Sequence, residues 1–311
     1  MGSRRCRVLL LAAALAGAST IGLGCSSAHT AAAPPGTTEA APPDIAAAPT
    51  EVARTTLGTV GYREVGHGPA LVMITGFGAG MDAWAPYFVN ALAAHFRVVV
   101  FDNAGIGQTA VLAAPLSVPE MAAQASALIT ALRLGPCDVL GWSMGGLVAQ
   151  SLAVTDPGQV RRLVLAATQA GTGKAAPVPA AAQAALDSGN AAAALGLLFP
   201  AGQVTATERY VAGIGGYAGY YAASATVRAE QQAAVGQWFA GDDAAGRRPG
   251  AILAPTLVAD GTEDALNPVS NDRMLAQLIH GARLVLYPGA GHGFLFQDAG
   301  SFVSALGSFL G

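Results

Sequence analysis

The strongest constraint on the fold is a series of short apolar runs separated by longer segments with helical character. The runs occupy residues 70–75, 97–101, 138–142, 161–166, 256–259 and 283–287. They are mostly continuously apolar, as is typical of parallel strands that are covered on both faces. One intervening segment, 118–132, begins with a capping box from Ser117 to Glu120 and carries Pro119 in its first turn, which indicates a helix. The alternation of strand and helix predicts an α/β fold with a mostly parallel, doubly wound sheet.

Two segments depart from this alternation. Residues 60–65 alternate along the chain, which indicates a strand of an antiparallel opening hairpin. Residues 171–250 are rich in alanine, contain a cluster of tyrosines and show no clear apolar strand. We interpret them as a helical insertion that forms a lid over a core of residues 51–170 and 251–311. The alternative is an alanine-rich helical segment that makes no contact with substrate.

The first 25 residues have the pattern of a bacterial export signal. Three arginines precede an apolar run at 8–23, which is short for a membrane span. The run leads into Cys25 through a sequence that resembles the lipobox of bacterial lipoproteins, where the cysteine is lipidated and becomes the first mature residue. We predict a signal peptide over 1–25 and a cell-envelope lipoprotein that is anchored to the membrane through Cys25. Simple secretion, an uncleaved anchor and a chance cysteine are the alternatives.

The next segment, residues 26–50, consists mainly of Ala, Pro, Thr and Ser. It contains too little large apolar surface to fold, and we predict a disordered tether. Because Cys6 lies in the signal and Cys25 at its end, the remaining body contains only Cys137, and an internal disulfide is not possible. Cys137 begins an apolar run and is predicted to be a buried small side chain rather than a nucleophile.

Composition narrows the kind of partner. Charged residues make up 11% of the chain, against about 25% in a typical soluble domain, and the formal net charge is −3. A basic stripe and an acidic tail are both absent from the sequence, which argues against nucleic acid. The histidines lack metal-ligand spacing, and the glycines at 105 and 107 lack the rest of a dinucleotide-binding motif. We expect a small neutral substrate, no metal and no cofactor, and we leave the oligomeric state open.

The segment Gly141-Trp142-Ser143-Met144-Gly145 matches the G-x-S-x-G pattern of an exposed serine nucleophile. It has the setting that this chemistry needs, because a predicted strand precedes it and a predicted helix follows it. A strand that turns directly into a helix forces the serine into strained backbone geometry and leaves little room for side chains two residues away. The N-terminus of the following helix also favours developing negative charge. We predict that Ser143 is a catalytic nucleophile.

A serine hydroxyl is a weak nucleophile and needs a general base. Of the five histidines, His292 alone lies in a glycine-rich loop directly after the last predicted strand. The other four lie in the tether or in loops and helix ends without a partner motif, and we expect surface or structural roles for them. His292 is therefore predicted to be the base, with room to approach Ser143.

The base in turn needs a carboxylate that orients it. Asp264 lies in the loop that follows the run 256–259, at the carboxyl end of the penultimate predicted strand. Asp260 and Glu263 lie close by and compete for this role. Asp138 precedes the nucleophile on its strand and is interpreted as a polar strand-start residue.

These residues together resemble the α/β-hydrolase family. The family's order of serine, acid and histidine is met by Ser143, Asp264 and His292, and Asp264 with Pro268 fits the family's acid pattern. The resemblance implies an α/β-hydrolase fold and an oxyanion hole formed by the backbone N–H groups of Phe77 and Met144. It covers about residues 52–311 apart from the insertion. The sequence departs from the family where Thr75 replaces the usual histidine of the glycine-rich loop.

The expected function is hydrolysis of an ester-like bond in a small, largely apolar substrate through an acyl-enzyme. Lactone hydrolysis, carbon–carbon cleavage, perhydrolysis and acyl transfer use the same triad and stay open, as does a non-catalytic surface binding lipoprotein. Several aromatic residues could line an apolar pocket or belong to the core. They are Phe77, Trp84, Trp142, Phe294 and the tyrosines of the insertion.

Overall fold

The computed structural model describes residues 43–188 and 190–311, and these contain one eight-stranded sheet. Its spatial order is β1-β2-β4-β3-β5-β6-β7-β8. The strands are β1 (Glu51–Thr55), β2 (Gly58–Val65), β3 (Ala70–Ile74), β4 (Arg97–Phe101), β5 (Cys137–Trp142), β6 (Val160–Ala166), β7 (Thr256–Gly261) and β8 (Arg283–Tyr287). The strands β3 to β8 are parallel to their neighbours, whereas β1 and β2 form an antiparallel hairpin that joins β4. The predicted α/β-hydrolase fold class is thereby confirmed.

Helices fill the connections between the strands. They are α1 (Pro86–Ala93), α2 (Val118–Ala131), α3 (Met144–Thr155), α4 (Ala180–Asp187), α5 (Ala191–Leu198), α6 (Val204–Ile214), α7 (Ala225–Ala240), α8 (Val269–Leu278), α9 (Phe294–Gln297) and α10 (Ala299–Leu310). The capping box at the start of α2 is formed as predicted: the Ser117 hydroxyl accepts from the Glu120 N–H, and the Glu120 carboxylate accepts from the Ser117 N–H.

Both faces of the sheet are buried, which explains why the central strands are continuously apolar. Along β3, Val72 faces a cluster that contains residues of α2, α3 and α8, whereas Leu71 and Met73 face a cluster that contains residues of α1 and α10. All three side chains are fully buried. The alternation of side chains along a strand thus supplies two cores from one apolar run.

The tether predicted over 26–50 is wrong at its C-terminal end. Ile45 is fully buried in the cluster that contains α1, and its N–H donates to the Asn90 side chain at 2.8 Å. Ile45 is the one branched aliphatic residue between 26 and 50, and burial of a single such side chain contributes about 1.5–3 kcal/mol. The predicted signal, the lipidation site at Cys25 and residues 26–42 of the tether lie outside the described residues.

The insertion at 171–250 contains α4 to α7, between β6 and β7. Its aromatic residues attach it to the core through hydrogen bonds to main-chain carbonyls. The hydroxyls of Tyr210 and Tyr217 donate to Ala83 and Trp84, at 3.0 and 2.7 Å. The Trp238 indole donates to Gln169 at 3.2 Å. Among the described residues, no helix combines the length and the hydropathy required to cross a membrane.

Candidate active site

Ser143 lies at the sharp turn between β5 and α3. Its backbone has φ 57° and ψ −123°, a conformation that a non-glycine residue rarely adopts. The glycines of the motif have a steric reason, because a Cβ at Gly141 would collide with the backbone of Gly145, and a Cβ at Gly145 would collide with the carbonyl of Ile74. Ser143 is half-buried, whereas β5 before it and most of α3 after it are buried.

The glycine-rich loop (residues 75–80) passes directly beside Ser143. A Cβ at Gly76 would lie 3.1 Å from the Ser143 Cβ and 3.6 Å from its Oγ. Any side chain at position 76 would therefore press on the serine. The absence of a side chain lets the backbone of this loop approach the serine hydroxyl.

The last loop of the sheet brings His292 and Asp264 together. The His292 Nδ1 lies 2.7 Å from the Asp264 Oδ2, and the two side chains are 5% and 0% exposed. The other carboxylate oxygen of Asp264 accepts from the backbone N–H groups of Leu266 and Asn267, at 2.6 and 2.8 Å. These bonds fix the carboxylate, and the carboxylate in turn fixes the imidazole ring.

The structure separates Asp264 from its two competitors. Glu263 is exposed at the surface. Asp260 is fully buried at the end of β7, where it accepts from the Gly261 N–H and from the Asn267 side chain. Asp264 alone of these three carboxylates contacts His292.

Trp142 connects the serine turn to the histidine loop. Its indole N–H donates to the main-chain carbonyl of His292 at 3.0 Å, and the two rings are 5.8 Å apart between centroids. From the other side, the Gly293 N–H donates to the Leu198 carbonyl of the insertion at 2.7 Å. His292 is therefore held by its ring, its carbonyl and the next residue.

A buried polar network lies behind the acid. The Asn267 side-chain nitrogen donates to Asp260 at 3.1 Å and to Asp272 at 2.7 Å, and both aspartates are fully buried. Burial and the neighbouring carboxylates of Asp264 and Asp272 raise the pKa of Asp260 well above its ordinary value. Burial raises the pKa of Asp272 to about 8. Two buried carboxylates that share one neutral amide retain a proton between them at neutral pH.

The two predicted oxyanion donors belong to the residue after the serine and to a residue of the glycine-rich loop. Met144 is the first residue of α3, so its N–H has no acceptor within the helix. Phe77 follows Gly76 in the glycine-rich loop. Thr75, which replaces the family's histidine, supports this loop: its hydroxyl donates to the Ala79 carbonyl at 3.1 Å and accepts from Asn103 at 3.2 Å.

The helix α7 of the insertion contacts the same loop. Gln231 is fully buried, and its side-chain oxygen accepts from the Gly78 N–H at 2.8 Å. The Arg228 guanidinium lies 4.7 Å from the centroid of the Phe77 ring. The sequence contains no signal for these contacts, because 153 residues separate Gln231 from Gly78 and an alanine-rich helix does not reveal what it covers.

Most of the aromatic residues considered as pocket lining belong to the core. Trp84 and Phe294 are fully buried and Trp142 is 5% exposed. Tyr210 and Tyr217 are buried at their contacts with the core, whereas Tyr220 and Tyr221 are exposed and Phe77 is half-buried. Only the last three retain surface that a substrate can reach.

The remaining nucleophile and base candidates are separate from this site. Burial raises the pKa of the Cys137 thiol to about 12, which keeps it protonated, in agreement with its predicted role as a small core residue. His67, His95 and His280 are all exposed. His29 lies outside the described residues.

A mostly parallel sheet with a serine turn after β5, an acid after β7 and a histidine after β8 defines the α/β-hydrolase class. The family model described as alpha/beta hydrolase fold matches residues 69–299, and the chain belongs to this family.

Individual relatives extend over most of the chain. A protein of Variovorax paradoxus that is named as a carbamate hydrolase, RutD, is 31% identical over 255 residues, which is 78% of this chain and 94% of the relative. An alpha/beta hydrolase fold protein from Chitinophaga pinensis superposes with a TM-score of 0.75 at 26% identity, covering 86% of this chain and 98% of the other. The enol-lactonase from Burkholderia xenovorans superposes with a TM-score of 0.63 at 25% identity, and the match covers 84% of this chain and 99% of the enol-lactonase.

Proposed function

We propose that the chain is a serine hydrolase that cleaves an ester-like bond of a small, largely apolar substrate. Ser143 is the nucleophile, His292 the general base and Asp264 the carboxylate that orients the base. The single observation that carries this proposal is the contact of 2.7 Å between the His292 Nδ1 and the Asp264 Oδ2. Trp142, the residue before Ser143, ties this pair to the serine turn through its hydrogen bond of 3.0 Å to the His292 carbonyl.

The first stage forms an acyl-enzyme. With the Nδ1–H of His292 donated to Asp264, the Nε2 atom is free to take the Ser143 proton as Oγ attacks the substrate carbonyl carbon. The tetrahedral intermediate then collapses: the bond from carbon to the leaving oxygen breaks, and His292 gives its proton to that oxygen. The products of this stage are an alcohol and an ester on Ser143.

The second stage repeats the sequence with water. His292 takes a proton from water as its oxygen attacks the acyl carbon, and the proton then goes to Ser143 as the acyl–serine bond breaks. In both stages, the N–H groups of Phe77 and Met144 donate to the carbonyl oxygen as it becomes negative. Removal of one such donor costs about 3 kcal/mol of transition-state stabilisation in comparable sites.

The insertion supports a role as a lid over this chemistry. It contacts both halves of the site, at Gly293 through Leu198 and at Gly78 through Gln231. A lactone is the second candidate substrate, because a structural relative at 25% identity is named as an enol-lactonase. Lactones and open-chain esters share the acyl-enzyme route. In a lactone the leaving alcohol stays attached to the acyl group, whereas in an open-chain ester it departs as a separate molecule.

Turnover of a panel of 4-nitrophenyl esters and lactones tests the proposal. We expect Ser143→Ala and His292→Gln to lower kcat by at least about 10⁴-fold while circular dichroism and Tm stay close to those of the wild type. The matched control is His280→Gln, which changes an exposed histidine and keeps full activity. Unchanged turnover in Ser143→Ala would overturn the assignment.

We further propose that the chain is exported and anchored through a lipid at Cys25, on the basis of the sequence pattern at residues 1–25. Metabolic labelling with radioactive palmitate is expected to mark the wild type and to leave Cys25→Ala unmarked. Equal labelling of both proteins would contradict the lipid anchor. Release of Cys25→Ala into the medium, with the wild type retained by the cells, would support it.

A further inference from the structure

Arg228, the fourth residue of α7, places a positive charge on the glycine-rich loop. Its guanidinium carbon lies 4.7 Å from the centroid of the Phe77 ring. A Cβ at Gly78 would collide with the Arg228 Nη1, so the guanidinium rests on the backbone of Gly78. Phe77 and Gly78 directly follow Gly76, where a Cβ would lie 3.1 Å from the Ser143 Cβ. The charge therefore lies on the segment that approaches the serine.

No carboxylate in the described part of the chain lies within 4.0 Å of this guanidinium. The arginine ion pairs found there are those of Arg63 with Asp82, Arg97 with Glu64 and Arg161 with Asp138. Each of these three cations is neutralised by its partner. Arg228 is half-buried and lies against the Phe77 ring and the backbone of Gly78.

The position of Arg228 in its helix makes this charge unfavourable for folding. Ser224 caps the N-terminus of α7, and the N–H of Arg228 donates to the Ser224 carbonyl at 2.9 Å. The first turn of α7 contains no acidic residue. Helix N-termini favour anions and disfavour cations by about 0.3–1 kcal/mol at the surface. The guanidinium thus has no carboxylate partner, and it lies at the positive end of the helix dipole. A bound anion would interact favourably with both the guanidinium and the dipole.

The guanidinium carbon of Arg228 lies over the Phe77 ring. Stacking on an aromatic face occupies one face of the guanidinium plane and leaves its N–H donors at the edge. These donors match the two oxygens of a carboxylate. Gln231, one turn further along α7, accepts from the Gly78 N–H of the same loop.

We propose that Arg228 binds a carboxylate on the substrate, and that the site takes small esters or lactones that carry one acidic group in preference to neutral ones. This inference rests on the proposed hydrolase function, and it replaces the small neutral substrate expected from composition by one that carries a single negative charge. The uncharged remainder of the substrate contacts the half-buried Phe77 and the exposed Tyr220 and Tyr221.

Two pairs of substrates that differ mainly in charge test the proposal. The mono-4-nitrophenyl esters of glutaric and adipic acid carry a carboxylate at the end of the acyl chain, where 4-nitrophenyl pentanoate and hexanoate carry a methyl group. With spontaneous hydrolysis subtracted, we expect the wild type to favour at least one anionic ester over its neutral counterpart by about tenfold or more in kcat/KM. High salt should reduce this preference.

Three variants locate the preference at Arg228. Arg228→Gln is expected to raise KM for the preferred anionic ester by about ten- to hundredfold and to reduce the preference for the anionic over the neutral ester by a similar factor. Arg228→Lys restores part of the loss, because it keeps the charge without the two-pronged geometry. Arg209→Gln is the matched control: its guanidinium also stacks on an aromatic ring, 3.8 Å from the centroid of Tyr87, and its removal should leave both KM values unchanged.

The inference is overturned if the wild type hydrolyses the anionic and neutral esters with equal kcat/KM, or if Arg228→Gln affects both kinds of ester equally. A failure of the hydrolase proposal has a different signature, because the wild type would then turn over none of the four esters faster than Ser143→Ala. In that case the inference fails with it.

Discussion

The indole N–H of Trp142 donates a hydrogen bond of 3.0 Å to the main-chain carbonyl of His292. The residue before the predicted nucleophile thereby holds the residue predicted to be its base. The contact joins the end of β5 to the loop after β8 across 150 positions of sequence. Small displacements of a base relative to its nucleophile have large effects on rate.

Replacement of Trp142 by phenylalanine tests this positioning role. Trp142→Phe keeps an aromatic ring against His292 and removes the donor, and we expect a loss of about 1 kcal/mol of stability and a fall in kcat of about tenfold, with KM little changed. Trp84→Phe is the control, because the Trp84 indole nitrogen is buried without a hydrogen-bond partner among the described residues. Equal kinetic losses in the two variants would show that packing, rather than the hydrogen bond, is responsible.

The identity of the acid is tested by two neighbouring carboxylates. Asp264→Asn leaves the shape of the site intact but removes the charge that orients and stabilises the imidazolium, so kcat is expected to fall by about 10³- to 10⁴-fold. Glu263→Gln, at an exposed position one residue away, should retain wild-type kcat. Steady-state kinetics with one preferred ester decides between them, and a larger loss in Glu263→Gln would contradict the assignment.

Gln231 is expected to act through the glycine-rich loop. Gln231→Leu leaves the Gly78 N–H buried without an acceptor, which costs about 1–3 kcal/mol and lets the loop shift, so that kcat falls more than KM rises. Gln232→Leu changes the exposed neighbour on the same helix and should have wild-type kinetics. If Gln231→Leu lowers Tm but leaves kcat intact, Gln231 anchors the insertion without positioning the loop.

The buried pair of Asp260 and Asp272 predicts a pH dependence of stability. Because their pKa values are raised in the folded protein, to about 8 for Asp272, the native state binds protons more tightly than the unfolded chain, in which a carboxyl titrates near 4. The contribution of the pair is fully present below about pH 4 and is lost as the pH rises through about 8.

Asp272→Asn should remove part of this dependence, since the amide stays neutral and its oxygen still accepts from Asn267. We expect Tm of the variant to exceed that of the wild type above about pH 8 and the two curves to converge at acidic pH. Asp187→Asn, at an exposed position, is the control and should follow the wild type. Parallel curves of Tm against pH for Asp272→Asn and the wild type would contradict this, because they would mean that ionisation of the pair does not lower the stability of the folded protein.

The sheet could be predicted from sequence because a buried parallel strand needs apolar residues on both faces. The runs 97–101 and 283–287 coincide with β4 and β8, and the other predicted strands differ from the observed ones by a few residues at their ends. Ile45 shows the limit of the same reasoning. The composition of 26–50 predicts disorder as an average, whereas Ile45 at the end of that segment is fully buried and its N–H donates to the Asn90 side chain.

Some residues of the candidate site could likewise be predicted from sequence, and others could not. Ser143 and His292 stand out because strained turns and glycine-rich loops leave local marks in the sequence. The choice of Asp264 over Asp260 needed family resemblance, since Asp260 lies at the end of β7 and Asp264 in the loop after it, and the direction of each side chain depends on tertiary contacts. The sequence around Arg228 and Gln231 contains no local signal of their roles, because both residues act on a loop about 150 residues earlier in the chain.

The most direct test of the central claim is covalent labelling of the full chain with a fluorophosphonate probe, followed by peptide mass spectrometry. An activated serine attacks the phosphorus atom and expels fluoride. We therefore expect one adduct, on Ser143, that is absent from Ser143→Ala and forms far more slowly in His292→Gln. A folded wild-type protein whose Ser143 stays unlabelled, or whose label persists in Ser143→Ala, would contradict it.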